Sequence, residues 1–127
     1  MNREIKFRAW DKINNKMYPI TGISFTNKDV WLQINDKQIM GANFNEIEIM
    51  QYTGLKDIHS NEVYEGDIVH CVSNIPHILI NLIGKVKFLN GGWTISVNNF
   101  GNQDLYSYGV KIEKLGNIYE NSELLEK

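Results

Sequence analysis

The sequence predicts an all-β fold, and three observations carry that prediction. Apolar and polar residues alternate with a period of two in Glu4–Trp10, Glu46–Tyr52 and Ile78–Leu89. Asn90-Gly91 lies between two such stretches, and both residues tolerate the positive φ of a two-residue hairpin turn. Helical periodicity is scarce before the tail.

In Glu4–Trp10, Ile5, Phe7 and Ala9 alternate with Lys6, Arg8 and Trp10, the pattern of a half-buried strand. The turn-rich "DKINNK" leads into a short strand, Met17–Ile20. Pro19 removes a backbone donor from that strand and predicts an edge position for it. Val30–Ile34 reads as a strand that ends on the turn pair Asn35-Asp36. Glu46–Tyr52 puts Ile47 and Ile49 on one face and Glu46 and Glu48 on the other.

From Ile78 to Leu89 one parity reads Ile78, Ile80, Leu82, Gly84, Val86, Phe88. That predicts a long strand with Val86 and Phe88 buried, and Gly84 marks a sharp bend of the kind found at a barrel corner. The returning strand, Trp93–Val97, turns Trp93, Ile95 and Val97 to the same core. Residues 98–109 are polar and Gly/Asn-rich and read as a long loop with Tyr106 and Tyr108. Val110–Leu115 reads as a strand, and the tail as one helical turn capped by Asn121 or Ser122.

At 127 residues the chain is long enough to bury a core without a staple. A hydrophobic content of 43%, with three Trp, six Tyr and five Phe, argues against disorder. The one cysteine, Cys71, excludes an internal disulfide and suits a reducing cytoplasm. The opening "MNREIKFRAW" has no apolar run, so no secretory signal is expected. A net charge of −2 points to neither a polyanionic nor a polycationic partner. Residues 1–20 are nevertheless rich in bases (Arg3, Lys6, Arg8, Lys12, Lys16), and Glu120, Glu123 and Glu126 make the tail acidic.

Between the two strand-rich halves runs "QYTGLKDIHSNEVYEGDIV", Gln51 to Val69. Its "EVYEGDIV" reads as strand, turn, strand, with Gly66 permitting the bend and Asp67 accepting a backbone hydrogen bond. Lys56 and Asp57 read as a loop tip. "REIKFRAWDK" with Lys16-Met17 after it, "MQYTGLKD", "EVYEGDIV" and "LGNIYENSELL" occur in that order from residue 3 to residue 125. Together they resemble the YopX-like proteins of phages and prophages. The resemblance implies a phage or prophage origin, a β-rich fold and oligomerisation. It carries over no catalytic residues, because none are established for that family. Two departures stand out. His59 and Ser60 replace a usual Asn-Gly, which predicts that positive φ shifts to Asn61. Ser122 replaces a usual proline, which predicts a looser last turn.

Candidate chemistry is sparse. Glu62, Glu65 and Asp67 flank a turn glycine, where carboxylates act as turn formers more often than as an acid/base pair. His59, His70 and His77 with Cys71 lack zinc spacing, and neighbours His70 and Cys71 point to opposite faces of a strand. Cys71 reads as a small core residue. No phosphate-loop, dinucleotide or Gly-x-Ser-x-Gly pattern occurs. Lys6, Arg8 and Trp10 on one face, with Lys85 and Lys87, form the candidate binding surface, a base-and-aromatic row suited to nucleic acid.

The expectation is therefore an all-β domain over residues 1–127, with 1–53 and 62–127 as an alternative division and an SH3-like small barrel in the C-terminal half. Its expected role is a non-catalytic protein-binding or assembly module without cofactor, metal or membrane partner. Expected partners are further copies of the chain and an unidentified phage or host protein. The first strand is the candidate edge for self-association, helped by Trp10, Trp31, Tyr106 and Tyr108. A nucleic-acid-binding barrel and an enzyme with an unrecognised site are the alternatives.

Overall fold

The computed structural model describes residues 4–73, 76–77, 79–97, 101–105 and 110–126, with residues 101–104 given by backbone alone. The fold is all-β, built from antiparallel strands with two short 3-10 turns, Phe44–Glu46 and Ser122–Leu125. The chain divides into two compact units, Met1–Tyr52 and Thr53–Lys127.

The first unit contains β1 (Phe7–Asp11), β2 (Lys16–Ser24), β3 (Asp29–Asn35), β4 (Gln38–Asn43) and most of β5 (Ile47–Lys56), in the spatial order β4-β3-β2-β1-β5. The first strand is therefore central. It pairs β2 through Arg8↔Pro19 and β5 through Ala9↔Ile49, which corrects its expected edge position. Pro19 is also on an inner strand. Pairing of β2 with β3 begins only at Ile20↔Leu32, so the missing donor falls outside that ladder. The core cluster of this unit is Ala9, Val30, Leu32 and Ile47, with Tyr18, Ile20, Ile23 and Met40 packed against it.

The second unit begins in β5, whose hydrogen-bonded neighbour is β6 (Glu62–Tyr64); the Thr53 hydroxyl donates to Val63 O at 2.7 Å. Its main sheet comprises β7 (Asp67–Ser73), β8 (Asn81–Leu89), β9 (Gly92–Val97), β10 (Gly101–Asp104) and β11 (Val110–Asn117), in the order β10-β9-β8-β7-β11. The core cluster contains Val63, Val69, Cys71, Val86, Ile95, Leu105 and Ile112. Residues 101–104, read from sequence as loop, pair with Thr94–Val97 as a strand. The flexible composition hid a backbone ladder that asks little of side chains. Tyr106 and Tyr108 lie outside the described residues.

The β8–β9 hairpin forms around Asn90 (φ 52°) and Gly91 (φ 81°), with Leu89↔Gly92 closing a two-residue loop. Both φ values are those of the type I′ turn that Asn-Gly favours. The strand starts at Asn81, and Ile78 lies outside the described residues. Val86 and Ile95 are buried as predicted, whereas Phe88 is 53% exposed. Parity put Phe88 on the correct face, but near the hairpin tip that face extends past the core. Its ring instead meets Trp93 edge-on, centroids 5.0 Å apart at 73°. Gly84 is required by a close approach: a Cβ there would lie 2.6 Å from Ser96 O and 2.8 Å from Ile95 Cγ2.

Candidate functional site

The connection from β5 to β6 is organised by one carboxylate. Asp57 is 7% exposed, so it is not at a loop tip. Its Oδ1 accepts the backbone N–H groups of His59 and Asn61, both at 2.9 Å. Its Oδ2 accepts Lys114 N–H on β11 at 2.8 Å, while Ile58 N–H donates to Ile112 O at 3.1 Å. The positive φ of this turn falls on Ser60 (67°), not on Asn61 as expected. Asp57 takes the amide hydrogens on either side, so the intervening residue adopts the left-handed conformation. Burial pushes the Asp57 carboxyl upward, but N–H donation from Lys114, Asn61 and His59, with the Asn61 amide, holds it below its ordinary value.

Beyond this turn, Gly66 has φ 87°, donates its N–H to Val86 O and accepts from Ile118 N–H, both at 2.9 Å. Asp67 is fully buried; its Oδ2 accepts Tyr64 N–H at 2.7 Å and lies 3.3 Å from Lys114 Nζ. Lys114 Nζ also donates to Glu62 O at 3.2 Å. A bulge between Lys114 and Gly116 interrupts β11 and leaves Leu115 exposed.

Together these residues border an open cleft of about 540 Å³ lined by Ser60, Asn61, Glu62, Tyr64, Lys114, Leu115 and Gly116. The lining offers hydroxyls, an amide, a carboxylate and an ammonium already held by Asp67. Among the described residues that line it there is no imidazole or thiol to act as a base beside a nucleophile.

The sequence-predicted residues fall in both units. Lys6 is half-buried, with Nζ 3.3 Å from Glu4 Oε1 and 5.4 Å from the Tyr52 ring centroid. Arg8 and Trp10 are each 8% exposed on the central strand β1, so they offer no open face for phosphate contact or base stacking. Lys85 and Lys87 share one face of β8, Lys85 half-buried and Lys87 exposed. Cys71 is fully buried in the core cluster, and burial raises its thiol pKa. His70 Nε2 lies 2.6 Å from Asn81 Oδ1, and His59 Nε2 lies 2.8 Å from Glu113 Oε2. Among the described residues no group of three or more His, Cys, Asp or Glu is arranged to hold a metal.

A surface that alternation alone did not reveal lies on β3 and β4. Register Trp31↔Gly41 and Gln33↔Ile39 puts Trp31 and Ile39 on the same face, opposite the core residues Val30 and Leu32. Trp31 is 43% exposed and Ile39 55%. Gly22 pairs Trp31 from the other side, and a Cβ on Gly22 would lie 3.4 Å from Trp31 Cε3. Glycine stands opposite Trp31 on both neighbouring strands, and the edge of the indole lies over Gly22.

The motif order and the all-β architecture agree with the family comparison. A family model described as YopX protein matches residues 6–126. The chain belongs to the YopX family. The structure is similar to the crystal structure of protein EF1440 from Enterococcus faecalis, at 25% identity and TM-score 0.62, covering 98% of this chain and 99% of that one. It is also similar to the crystal structure of protein yopX from Bacillus subtilis, at 21% identity and TM-score 0.66, covering 94% and 97%. No curated protein matches the sequence. Among the described residues, no helix is long and apolar enough to cross a membrane.

Proposed function

We propose that this chain is a phage- or prophage-encoded, non-catalytic protein-binding or assembly module that acts in the host cytoplasm as a homo-oligomer or with a phage or host protein. The observation that carries the reading is the exposure of Trp31 and Ile39 on one face of the β3–β4 ladder. Exposed aromatic and aliphatic anchors on a rigid sheet are what protein interfaces use. The phage setting rests on the family resemblance, and the cytoplasmic one on the single, buried Cys71. The second unit is read as a small SH3-like barrel, supported by its five-stranded antiparallel sheet and the tight overlap of strands at Gly84.

Light scattering of the full chain, paired with titration of a single-stranded oligonucleotide, tests this reading. The expected result is a particle heavier than the 14.7 kDa protomer and no salt-dependent oligonucleotide binding. Tight, salt-dependent binding that is lost in Lys85→Ala/Lys87→Ala would favour the nucleic-acid alternative.

A further inference from the structure

We propose that β4 is the assembly edge of this protein and that it pairs antiparallel, about a twofold axis, with β4 of a second copy. This rests on the assembly reading above and adds the surface and the partner. The argument starts from the sheet ends. A terminal strand turns alternate N–H and C=O groups away from its neighbour, and proteins blunt such edges with charge, proline, brevity or a covering loop.

Three of the four sheet ends are blunted in this way. At one, β6 is three residues long, and at another β10 is four. At the third, β11 carries Lys111, Glu113 and Lys114, and the Asp57 turn covers it through Ile58 N–H to Ile112 O and Lys114 N–H to Asp57 Oδ2. The fourth end is different. β4 is six residues long, reads QIMGAN, and contains no charge and no proline; at its end the Asn43 N–H donates to Glu46 Oε1 at 2.8 Å, so the open stretch is residues 38–42. No strand among the described residues pairs with its outer side.

The same stretch fits a second copy of itself. Twofold antiparallel pairing reverses the sequence against itself, and an uncharged strand then sets no like charges opposite each other. It also brings two copies of the exposed Ile39, with Trp31 one strand behind, to the same side of the joined sheet. That adds apolar burial to the backbone bonds at no cost in unpaired charge. With the axis near the middle of the strand, the two Ile39 positions lie within a few residues of each other. Charges introduced there interact across roughly a Debye length of 10 Å at 0.1 M salt.

Sedimentation of the full chain from about 1 to 100 µM, wild type against Ile39→Lys, tests the proposal. The wild type is expected to sediment as a multiple of 14.7 kDa, and Ile39→Lys as the protomer with unchanged circular dichroism. An equimolar mixture of Ile39→Lys and Ile39→Glu is expected to restore the assembly, a readout that a merely structural effect would not produce. Gln38→Lys, at an exposed polar position of the same strand, replaces Ile39→Lys if the latter unfolds. Assembly that persists in the lysine variant overturns the β4 interface and leaves the assembly reading standing. A wild-type protomer mass at every concentration overturns self-association itself.

Discussion

Buried carboxylates need donors, and Asp57 and Asp11 find theirs in the backbone. Asp11, 3% exposed, accepts Ile13 N–H at 2.9 Å, Asn14 N–H at 3.2 Å and Asn14 Nδ2–H at 2.9 Å. Burial raises its carboxyl, while the Asn14 side chain and the Asn14 and Ile13 amides outweigh that and lower it. Because the folded pKa of each is below its unfolded value, their stabilisation is complete above roughly pH 4 and is lost as pH falls through the folded pKa. Asp57→Asn should therefore lower stability at neutral pH and flatten the decline of stability below about pH 4, as read by urea denaturation at several pH values. A decline as steep as that of the wild type would show that Asp57 does not contribute to acid sensitivity. Gly66 is the second residue-scale requirement. Its φ of 87° is open to glycine and strained for β-branched residues, so Gly66→Val should cost about 2 kcal/mol or more. Glu65→Gln should cost less than Gly66→Val, since it leaves that φ unchanged. Equal melting temperatures for the two variants would remove the backbone argument.

At the scale of elements, the sequence was most legible where local chemistry and tertiary pairing agree. Asn90-Gly91 dictates its own turn, and the parity of Val86 and Ile95 follows from it. Legibility failed where partners far along the chain decide. The "QIMGAN" of β4 has apolar residues at Ile39, Met40 and Ala42, which match no clean period, and only register with β3 makes it a strand. Arg8 and Trp10 read as a solvent face because alternation cannot tell a central strand from an outer one. Phe88 read as core because parity does not say where the core stops. Those differences predict different energies along one hairpin. Ile95→Ala, at 0% exposure, should cost about 2–5 kcal/mol. Phe88→Ala, with a half-exposed ring and one edge-on partner, should cost about 1 kcal/mol. Denaturant midpoints for the two variants check this, and a larger loss for Phe88→Ala would mean that its ring is covered by a partner in solution.

At the scale of the whole molecule, each compact unit has its own buried apolar cluster. Ala9, Val30, Leu32 and Ile47 hold the first, and Val69, Cys71, Val86 and Ile95 lie at the centre of the second. A unit ending at Tyr52 is near the size at which a single core is marginal by itself, whereas the longer second unit buries proportionally more of its surface. β5 runs across the boundary between the two units. Sub-global opening should therefore begin in the first unit, in keeping with the uneven stability of contiguous structural units. Leu32→Ala removes a fully buried side chain from that cluster and should cost about 2–5 kcal/mol. Native-state hydrogen exchange should then speed up across β1–β4 while amides of β7–β9 keep most of their protection. Ile95→Ala removes a fully buried side chain from the second cluster and should speed exchange across β7–β9. Equal acceleration everywhere in Leu32→Ala would mean that the shared strand makes the chain one cooperative body.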